Sequence, residues 1–238
     1  MDMLVFLEEC TSTNDEISEH FALKNSGHFA IYTFNQTKGR GQYGNLWESP
    51  KNQNLAFSIA IPSDKFIIRN DLLNFHTAII LADFLAIMTK TIVKIKWPND
   101  IIIKNKKVSG ILIEKKNINT VPYFIIGIGL NILQKDFTHL PKAGSLLTQT
   151  GVKVNLHEFT KTLNDYFRKH INQEISEENI LERLNQLLFK KDEISVFEIK
   201  KTRQNGIIKK VDENGFLWVD LENDGLQKFY HKEIEMLY

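Results

Sequence analysis

Residues 36 to 47, QTKGRGQYGNLW, combine residue types that bind anions. The segment holds three glycines, the two cations Lys38 and Arg40, and the indole of Trp47. Glycines leave successive backbone N–H groups accessible to an anion, and a guanidinium offers a planar pair of donors that matches carboxylate or phosphate oxygens. The composition therefore indicates a loop that holds a carboxylate or a phosphate. A mobile surface loop with a buried tryptophan has the same composition, and glycines alone do not separate the two interpretations.

Two further segments offer backbone groups that a ligand could approach. Ser12 and Thr13 stand where a helical pattern begins, and the first N–H groups of a helix have no partner within the helix. Thr13 with Glu16 also fits a capping box, so we expect the Thr13 hydroxyl to cap this helix. Gly127 and Gly129 interrupt an apolar strand, where the missing side chains would let a ligand ring reach the backbone. A β-bulge explains the two glycines equally well.

A cluster of lysines marks a predicted β-hairpin. Lys104, Lys106 and Lys107 lie between two apolar strands, with Asn105 at the position of the tight turn. An ammonium group beside a reacting carboxylate or phosphate would stabilise negative charge. Composition alone describes the three lysines as a solvated hairpin tip, and nothing in it selects one of them.

Apolar periodicity predicts strands and helices through about residue 190. A helix begins near Thr13, with Ile17 and Phe21 on its buried face and Gly27 at its end. The predicted strands are 3–7, 28–36, 53–61, 92–97, 101–103, 108–114 and 122–132. A long core helix is predicted over 71–88, with Leu72, Phe75, Ile79, Phe84 and Ile87 at roughly helical spacing. Two more helices are predicted near 156–170 and 176–189.

The chain changes character after Lys191. Short apolar segments are separated there by Asn205-Gly206, Asn214-Gly215 and Asp224-Gly225, which are typical of tight turns between strands. This pattern predicts a small β-barrel-like domain. We therefore expect an α+β protein, with a mixed sheet and helices in residues 1–190 and a β domain in residues 191–238.

Composition excludes several classes of protein. Thirty Lys and Arg residues against 29 Asp and Glu give a formal charge of +1, so no strong overall field attracts nucleic acid or an acidic membrane. The single cysteine, Cys10, cannot form an internal disulfide and fits a reducing compartment. The acidic start MDMLVFLEEC does not resemble a signal peptide, and the apolar stretches are too short to span a bilayer. We expect a soluble, cytoplasmic protein without a nucleic-acid or membrane partner.

Four segments together resemble the signature of the biotin protein ligases. GRGQYGNLWESPKNQNLAFSIAI at 39–61 resembles that family's Gly-Arg-Gly loop with its following Trp, Ser-Pro and Asn-Leu strand. Ser12-Thr13-Asn14 resembles its Ser-Thr-Asn element, and GIGLN at 127–131 its Gly-x-Gly-x-Asn strand. KWPND at 96–100 resembles its most recognisable block, which continues through Lys107, Gly110, Ile111 and Glu114. The segments occur in the family's order and cover most of residues 10 to 131.

The resemblance implies a fold and an activity. The fold would be the class II synthetase-like catalytic domain, followed by a small C-terminal SH3-like β-barrel that the strings at 206–208 and 212–215 resemble less specifically. The activity would join biotin to ATP, supplied with Mg²⁺, and pass biotin from biotinyl-AMP to a lysine of a biotin carboxyl carrier protein or domain. No metal site built by the protein is implied, since none of the histidines shows metal-ligand spacing; Mg²⁺ would arrive with ATP, near Asp100.

The resemblance also assigns residues. Lys107 and Arg40 would be catalytic, and only the spacing from Asp100 and to Gly110 in the family pattern selects Lys107 among the hairpin lysines. The residues implied in biotin binding are Ser12, Thr13, Gln36, Gly39, Arg40, Gly41, Trp47, Lys107, Gly110, Gly127 and Gly129. Those implied in ATP binding are Arg40, Gln42, Asn99, Asp100, Lys107 and Asn131. Trp97 is expected only to pack in the core.

Several points depart from the family pattern or stay open. Many family members carry a second loop arginine where this sequence has Gln42, which keeps hydrogen bonding and removes a charge. Weaker retention of the adenylate and substitution by Lys38 are the two alternatives. Some members carry an N-terminal helix-turn-helix domain, and we expect none here, because the first predicted strand begins almost at Met1. A lipoate or octanoyl ligase and a non-catalytic adaptor that uses its β domain are the alternatives. Monomer and homodimer are both compatible with the sequence.

Overall fold

The architecture is a seven-stranded mixed sheet with helices and a second, five-stranded sheet. A computed structural model describes residues 3–22, 28–65 and 69–238. Within them, the strands up to residue 131 are β1 (Met3–Phe6), β2 (Phe29–Thr33), β3 (Gly39–Arg40), β4 (Leu46–Trp47), β5 (Asn54–Pro62), β6 (Lys94–Lys96), β7 (Asp100–Ile103), β8 (Lys106–Ile118) and β9 (Val121–Asn131). The large sheet has the order β1-β2-β5-β9-β8-β7-β6, and β3 and β4 form a separate two-stranded ribbon.

The large sheet is mixed because its first pair differs from the rest. β1 runs parallel to β2, and the other neighbours are antiparallel. The predicted hairpin turn forms between β7 and β8, where Lys104 and Asn105 both have positive φ. The pairing of β9 with β5 and β8 shows no shift of register at Gly127 or Gly129, so the β-bulge interpretation is wrong.

Within the described residues, five α-helices lie on both faces of the large sheet. They are α1 (Thr13–Ala22), α2 (Asn70–Thr89), α3 (Leu146–Thr150), α4 (Leu156–His170) and α5 (Glu177–Leu187). In α1, Ile17 and Phe21 are buried as predicted. The helix already includes Thr13, and Ser12 precedes it, with its carbonyl accepting from the N–H groups of Asp15 and Glu16. The predicted capping by Thr13 is therefore wrong, and Gly27 lies outside the described residues.

α2 is the central helix of the core. Of its predicted core positions, Leu72, Phe75, Ile79 and Phe84 are buried, whereas Ile87 is 63% exposed. The segment Leu72–Thr89 is long and apolar enough to cross a membrane by length and composition, but 78% of it is buried inside the protein. This burial is the environment of a core helix, so its apolar composition is explained by packing.

Strand alternation gives the sheet two different faces. On β5, Leu55, Phe57 and Ile59 belong to the larger core, which also includes residues of α2, α4 and α5. The alternate position Ala60 belongs to a second, smaller core with Ile17 of α1. Successive side chains of a strand point to opposite faces, so α1 covers the face that carries Ala56, Ser58 and Ala60.

The C-terminal residues form an open antiparallel sheet. Its strands are β10 (Ile194–Ile199), β11 (Thr202–Val211), β12 (Leu217–Leu221), β13 (Gly225–Phe229) and β14 (Glu235–Leu237), in the order β13-β12-β11-β10-β14. The two edge strands do not pair, so this small β domain is not a closed barrel. Asn205 and Gly206 lie within β11 and not in a turn, because the preceding turn uses Lys200 and Lys201.

The two sheets share one continuous core. Phe197, Val211 and Leu217 belong to the same buried cluster as α2 and β5. The side chain of Asn185 in α5 accepts from the N–H of Val211 and donates to its carbonyl, at 2.8 and 2.9 Å. Trp97 also donates from Nε1 to the carbonyl of Gly215, at 3.1 Å. The division into domains at residue 190 stays a prediction.

Candidate functional site

A cavity of about 520 Å³ lies between the two sheets. Its walls come from the start of α1, the β3–β4 ribbon, the central strands β5, β8 and β9, the turn that follows β6, and residues 231–236 of the C-terminal sheet. Of the residues implied by the sequence, those that line it are Ser12, Thr13, Gln36, Arg40, Gly41, Gln42, Trp47, Asn99, Asp100, Lys107, Gly110, Gly127 and Gly129. Segments that are distant in the sequence thus converge on one chamber.

The floor of the cavity is a patch of small residues on the central strands. Gly129 pairs with Gly110 on one side and with Ala56 on the other, while Gly127 pairs with Ser58. A Cβ atom at Gly127 would lie 2.2 Å from Asn14 Oδ1, and one at Gly129 would lie 2.4 Å from Cε2 of Trp47. The glycines therefore admit two side chains of the chain itself to the backbone, where the sequence suggested a ligand ring.

One end of the cavity is a network of neutral polar groups. The N–H of Thr13 donates to Gln36 Oε1 at 2.9 Å, and the Thr13 hydroxyl lies 3.2 Å from the same oxygen. Ser58 Oγ lies 2.8 Å from Thr13 Oγ1 and 2.7 Å from Asn14 Oδ1. A ligand with both donors and acceptors would find partners here, and Thr13 and Gln36 are held in place by each other.

Lys107 lies at the cationic end, above Gly110. Its ammonium is 2.6 Å from Asp100 Oδ1 and 5.6 Å from the centre of the Trp47 ring. The other two hairpin lysines do not line the cavity: Lys104 is exposed at the turn, and Lys106 donates to the carbonyl of Pro141. The structure therefore brings to the cavity the lysine that the sequence pattern selected.

Arg40 is held by carboxylates at the mouth of the cavity. Its guanidinium donates to both oxygens of Asp15, at 2.6 and 2.9 Å, and lies 3.4 Å from Glu114 Oε1. Lys116 adds a second cation 2.8 Å from Asp15. The Arg40 hydrogen bonds, with a smaller effect from Lys116, hold the pKa of Asp15 below its ordinary value. Asp15 and Glu114 thus compete for Arg40 with any anion in the cavity.

The glycine-rich ribbon also contacts the C-terminal sheet. Tyr43 has a φ of 58° and stacks on His231, with the ring centres 4.5 Å apart. Lys232 Nζ lies 4.5 Å from the centre of the Tyr43 ring. Burial lowers the pKa of His231, and the nearby Lys96 and Lys232 lower it further. A neutral His231 can stack on Tyr43 without adding charge to the chamber.

Three of the predicted site residues make contacts that support the fold. Gly39 does not line the cavity; a Cβ atom there would lie 2.3 Å from the carbonyl oxygen of Trp47, so Gly39 permits the close pairing of the ribbon. Asn131 is buried away from the cavity and donates to the carbonyl of Gly144 at 3.0 Å. Asn99 reaches the cavity wall, but its amide donates to the carbonyl of Ile111 at 2.7 Å.

Sequence reasoning missed several residues that shape the cavity. Asn14 and Glu114 lie inside quoted motifs and received no role, although polar residues in the resembling segments were a usable signal. Trp97, expected only to pack, lines the cavity and joins the two sheets. Lys96 and the C-terminal residues also line it, and the latter are His231, Lys232, Ile234, Glu235 and Met236. The sequence of the C-terminal residues gives no local indication that they line the cavity, because only the packing of the second sheet against the first brings them there.

The described residues contain no ready-made metal cage. Among residues 3–22, 28–65 and 69–238, no group of three or more His, Cys, Asp or Glu side chains is arranged to hold a metal ion. The carboxylate of Asp100 lines the cavity and already has the Lys107 ammonium 2.6 Å away as its ion-pair partner.

Comparison with known proteins defines the family. The sequence model of the Biotin/lipoate A/B protein ligase family matches residues 7–131, more than half of the chain, so the chain belongs to this family. The matched range contains every predicted site residue. The C-terminal sheet lies outside it.

Two relatives and one solved structure are similar to this chain. The bifunctional ligase/repressor BirA of Bacillus spizizenii is 33% identical over 125 residues, which cover 50% of this chain and 38% of that protein. The biotin--[acetyl-CoA-carboxylase] ligase of Paracoccus denitrificans is 28% identical over 152 residues, covering 60% of this chain and 63% of that protein. The biotin protein ligase of Aquifex aeolicus, solved with biotin and ATP, superposes with a TM-score of 0.80 at 23% identity, covering 100% and 99% of the two chains. This last likeness shows a shared fold across both sheets.

Proposed function

We propose that this protein is an ATP-dependent biotin protein ligase. It would activate biotin as biotinyl-AMP and transfer the biotinyl group to a lysine of a biotin carboxyl carrier protein or domain. The observation that carries the proposal is the convergence of Lys107, the glycine-rich ribbon and the polar network of Thr13 and Gln36 on one chamber. The names of the relatives support biotin as the acid.

The chamber offers what the first half-reaction requires. Two like charges 4 Å apart repel by about 4 kcal/mol at an effective dielectric of about 20, so the biotin carboxylate and the α-phosphate must meet beside a cation. A carboxylate oxygen of biotin attacks the α-phosphorus, the bond from that phosphorus to the β-bridging oxygen breaks, and pyrophosphate leaves with the electron pair. Lys107 stabilises the charge on the phosphorus oxygens, and Asp100 fixes the position of its ammonium.

The second half-reaction needs no covalent enzyme intermediate. The neutral amine of the acceptor lysine attacks the carbonyl carbon of biotinyl-AMP, the bond from that carbon to the phosphate oxygen breaks, and AMP leaves. The amine loses a proton as the amide forms. The protein positions the acceptor amine against biotinyl-AMP and stabilises the charge that develops as AMP leaves. The ribbon shields the reactive anhydride from water.

The remaining assignments are part of the same proposal. Thr13, Gln36 and Ser12 would bind the ureido ring of biotin, and Trp47 would cover its apolar part. Arg40, released from Asp15 and Glu114, would bind the phosphate or the biotin carboxylate, with Gln42 beside it. Asn99, Asp100 and Lys107 would contact ATP, and Mg²⁺ would enter with the nucleotide. Asn131 stays a predicted ATP contact, although its amide donates to the carbonyl of Gly144. The reaction would take place in the cytoplasm.

The test is incubation of the full chain with biotin, MgATP and a purified biotin carrier domain, followed by intact mass measurement of the carrier. We expect a mass increase of one biotinyl group that depends on both biotin and ATP. A parallel reaction with lipoate or octanoate and its own carrier domain tests the ligase alternative that the family name includes. An unmodified biotin carrier, beside a reference ligase that modifies it, would contradict the proposal. It would also favour the adaptor alternative if the lipoyl carrier stayed unmodified as well.

A further inference from the structure

Residues that pair across neighbouring strands form a row in the large sheet, here called the register row. It leads from the glycine floor to Lys96, which has no assigned role so far. Gly129 pairs with Gly110, Gly110 pairs with Asp100, and Asp100 pairs with Lys96. Residues directly opposite each other on neighbouring strands have their side chains on the same face. Lys96 therefore faces the same chamber as Asp100, one strand farther from the glycines, and it lines the cavity.

The charge of Lys96 lacks an ion-pair partner. No carboxylate of the described residues lies within 4 Å of its ammonium, although Lys107 has Asp100 and Lys142 has Glu235, at 2.6 and 3.3 Å. Lys96 instead lies over the ring of Tyr238, at 5.6 Å from the ring centre. Burial lowers the pKa of the Lys96 ammonium; Asp100 and Glu235 oppose this shift, and the neighbouring Lys107 and Lys142 add to it. A half-buried cation in this position gains most from an anion that supplies the missing charge.

The surroundings of Lys96 fix its position. Tyr238 lies between two lysines, because Lys142 Nζ is 5.2 Å from the same ring centre. The Tyr238 ring also packs edge-on against Phe189, and burial raises the pKa of its hydroxyl. Tyr238, which directly follows β14, therefore holds the Lys96 side chain toward the chamber.

We infer that Lys96 binds the polyphosphate part of the nucleotide, the β- and γ-phosphates that leave as pyrophosphate, while Lys107 serves the reacting α-phosphate. The inference rests on the proposed function. It divides the cationic end into two subsites along the register row: Lys107 above Gly110, where the bond to the α-phosphorus forms, and Lys96 two strands away. Pyrophosphate would then leave between β6 and the C-terminal sheet. An inorganic polyphosphate alone should occupy the Lys96 subsite.

The first test measures binding of tripolyphosphate to the full chain by titration calorimetry. We expect Lys96→Met to bind it roughly tenfold more weakly than the wild-type protein, since a charge-assisted contact is lost, and Lys96→Arg to stay within about threefold of it. Lys94→Met is the matched control, because Lys94 lies on the same strand, its Nζ donates to the carbonyl of Gln186, and it is not among the residues that line the chamber. Failure of the wild-type protein to bind tripolyphosphate, or equal binding by Lys96→Met, would overturn the inference.

The second test separates the half-reactions. Lys96→Met should raise the KM for ATP in biotin-dependent pyrophosphate exchange, and it should transfer biotin from chemically prepared biotinyl-AMP at the wild-type rate. Its affinity for biotin and its thermal unfolding should be unchanged. A parallel loss in both half-reactions would mean a structural role and contradict the subsite. If the wild-type protein catalyses no biotin-dependent exchange, the proposed function fails, and the tripolyphosphate titration still decides the role of Lys96.

Discussion

Asn14 and Trp47 both lie against a glycine of β9, and they are held in opposite ways. Asn14, over Gly127, is buried and bonded through both atoms of its amide: Oδ1 lies 2.7 Å from Ser58 Oγ, and Nδ2 donates to Glu114 at 2.8 Å. Trp47, over Gly129, has a buried indole N–H with no hydrogen-bond partner among the described residues. The same strand thus contacts one side chain whose polar atoms are hydrogen-bonded and one whose indole N–H has no partner among the described residues.

The surroundings of these side chains extend the contrast. Asn14 belongs to α1, which packs on the sheet through the buried Ile17 and Phe21. Trp47 belongs to the β3–β4 ribbon, which pairs with no other strand in the part of the chain that the structure describes and carries the exposed Leu46 and Tyr43. A buried donor left without a partner costs about 1–3 kcal/mol. The chamber therefore has a fixed platform, made of α1 and β5 to β9, and a weakly held cover, the ribbon.

The largest expected effect comes from the platform. Lys107→Met should slow formation of biotinyl-AMP by about two to three orders of magnitude, because it removes the cation from the point where two anions meet. Unfolding should change little, since the Lys107 side chain is partly exposed. Pyrophosphate release measures the effect, and Lys104→Met on the exposed hairpin tip is the control. Release at the wild-type rate by Lys107→Met would place the chemistry elsewhere.

The platform is the part that the sequence predicted well. Its strands and helices follow from apolar periodicity, and the motif spacing selected Lys107 from three lysines that composition could not distinguish. Lys107 lines the chamber because β7, the turn at Asn105 and β8 are consecutive, so local register fixes which lysine faces it, while its catalytic role stays a prediction. The fold class and the family were confirmed, although the C-terminal sheet is open where a barrel was expected.

The errors have a common physical cause, which is contact between distant segments. Thr13 looked like a helix cap, but its hydroxyl contacts Gln36, in the segment after β2, and Ser58 of β5. Asn205-Gly206 has a turn composition, yet Gly206 packs within β11 against Leu221 and Val219, which lie about 3.0 Å from where its Cβ would be. The contribution of residues 231–236 to the chamber could not be predicted, because no short-range pattern reports how two sheets dock.

The two glycines of β9 provide a paired test of platform against cover. Gly127→Ala should lower the free energy of unfolding by about 1–3 kcal/mol, because the new methyl group collides with the bonded Asn14 amide. Gly129→Ala collides with Trp47 and should be relieved by movement of the ribbon, at a cost below about 1 kcal/mol. Urea unfolding measures both changes. Hydrogen exchange of residues 39–47 should accelerate only in Gly129→Ala. Equal destabilisation by the two variants would contradict the division into a fixed platform and a weakly held cover.

The smallest expected effect concerns Asp15, the ion-pair link between platform and cover. At neutral pH, Asp15→Asn should speed hydrogen exchange of residues 39–47 and change the free energy of unfolding by less than about 1 kcal/mol, because the pair is exposed. The pKa of Asp15 is lower in the folded protein, mainly through its Arg40 hydrogen bonds, so its contribution is complete above the unfolded value of about 3.9 and is lost as the pH falls through the folded value. The wild-type ribbon should therefore lose protection in acid, and Asp15→Asn should lack that transition. Asp165→Asn, an exposed substitution on α4, should behave as the wild-type protein at both pH values. An acid transition that persists unchanged in Asp15→Asn would mean that other contacts hold the ribbon.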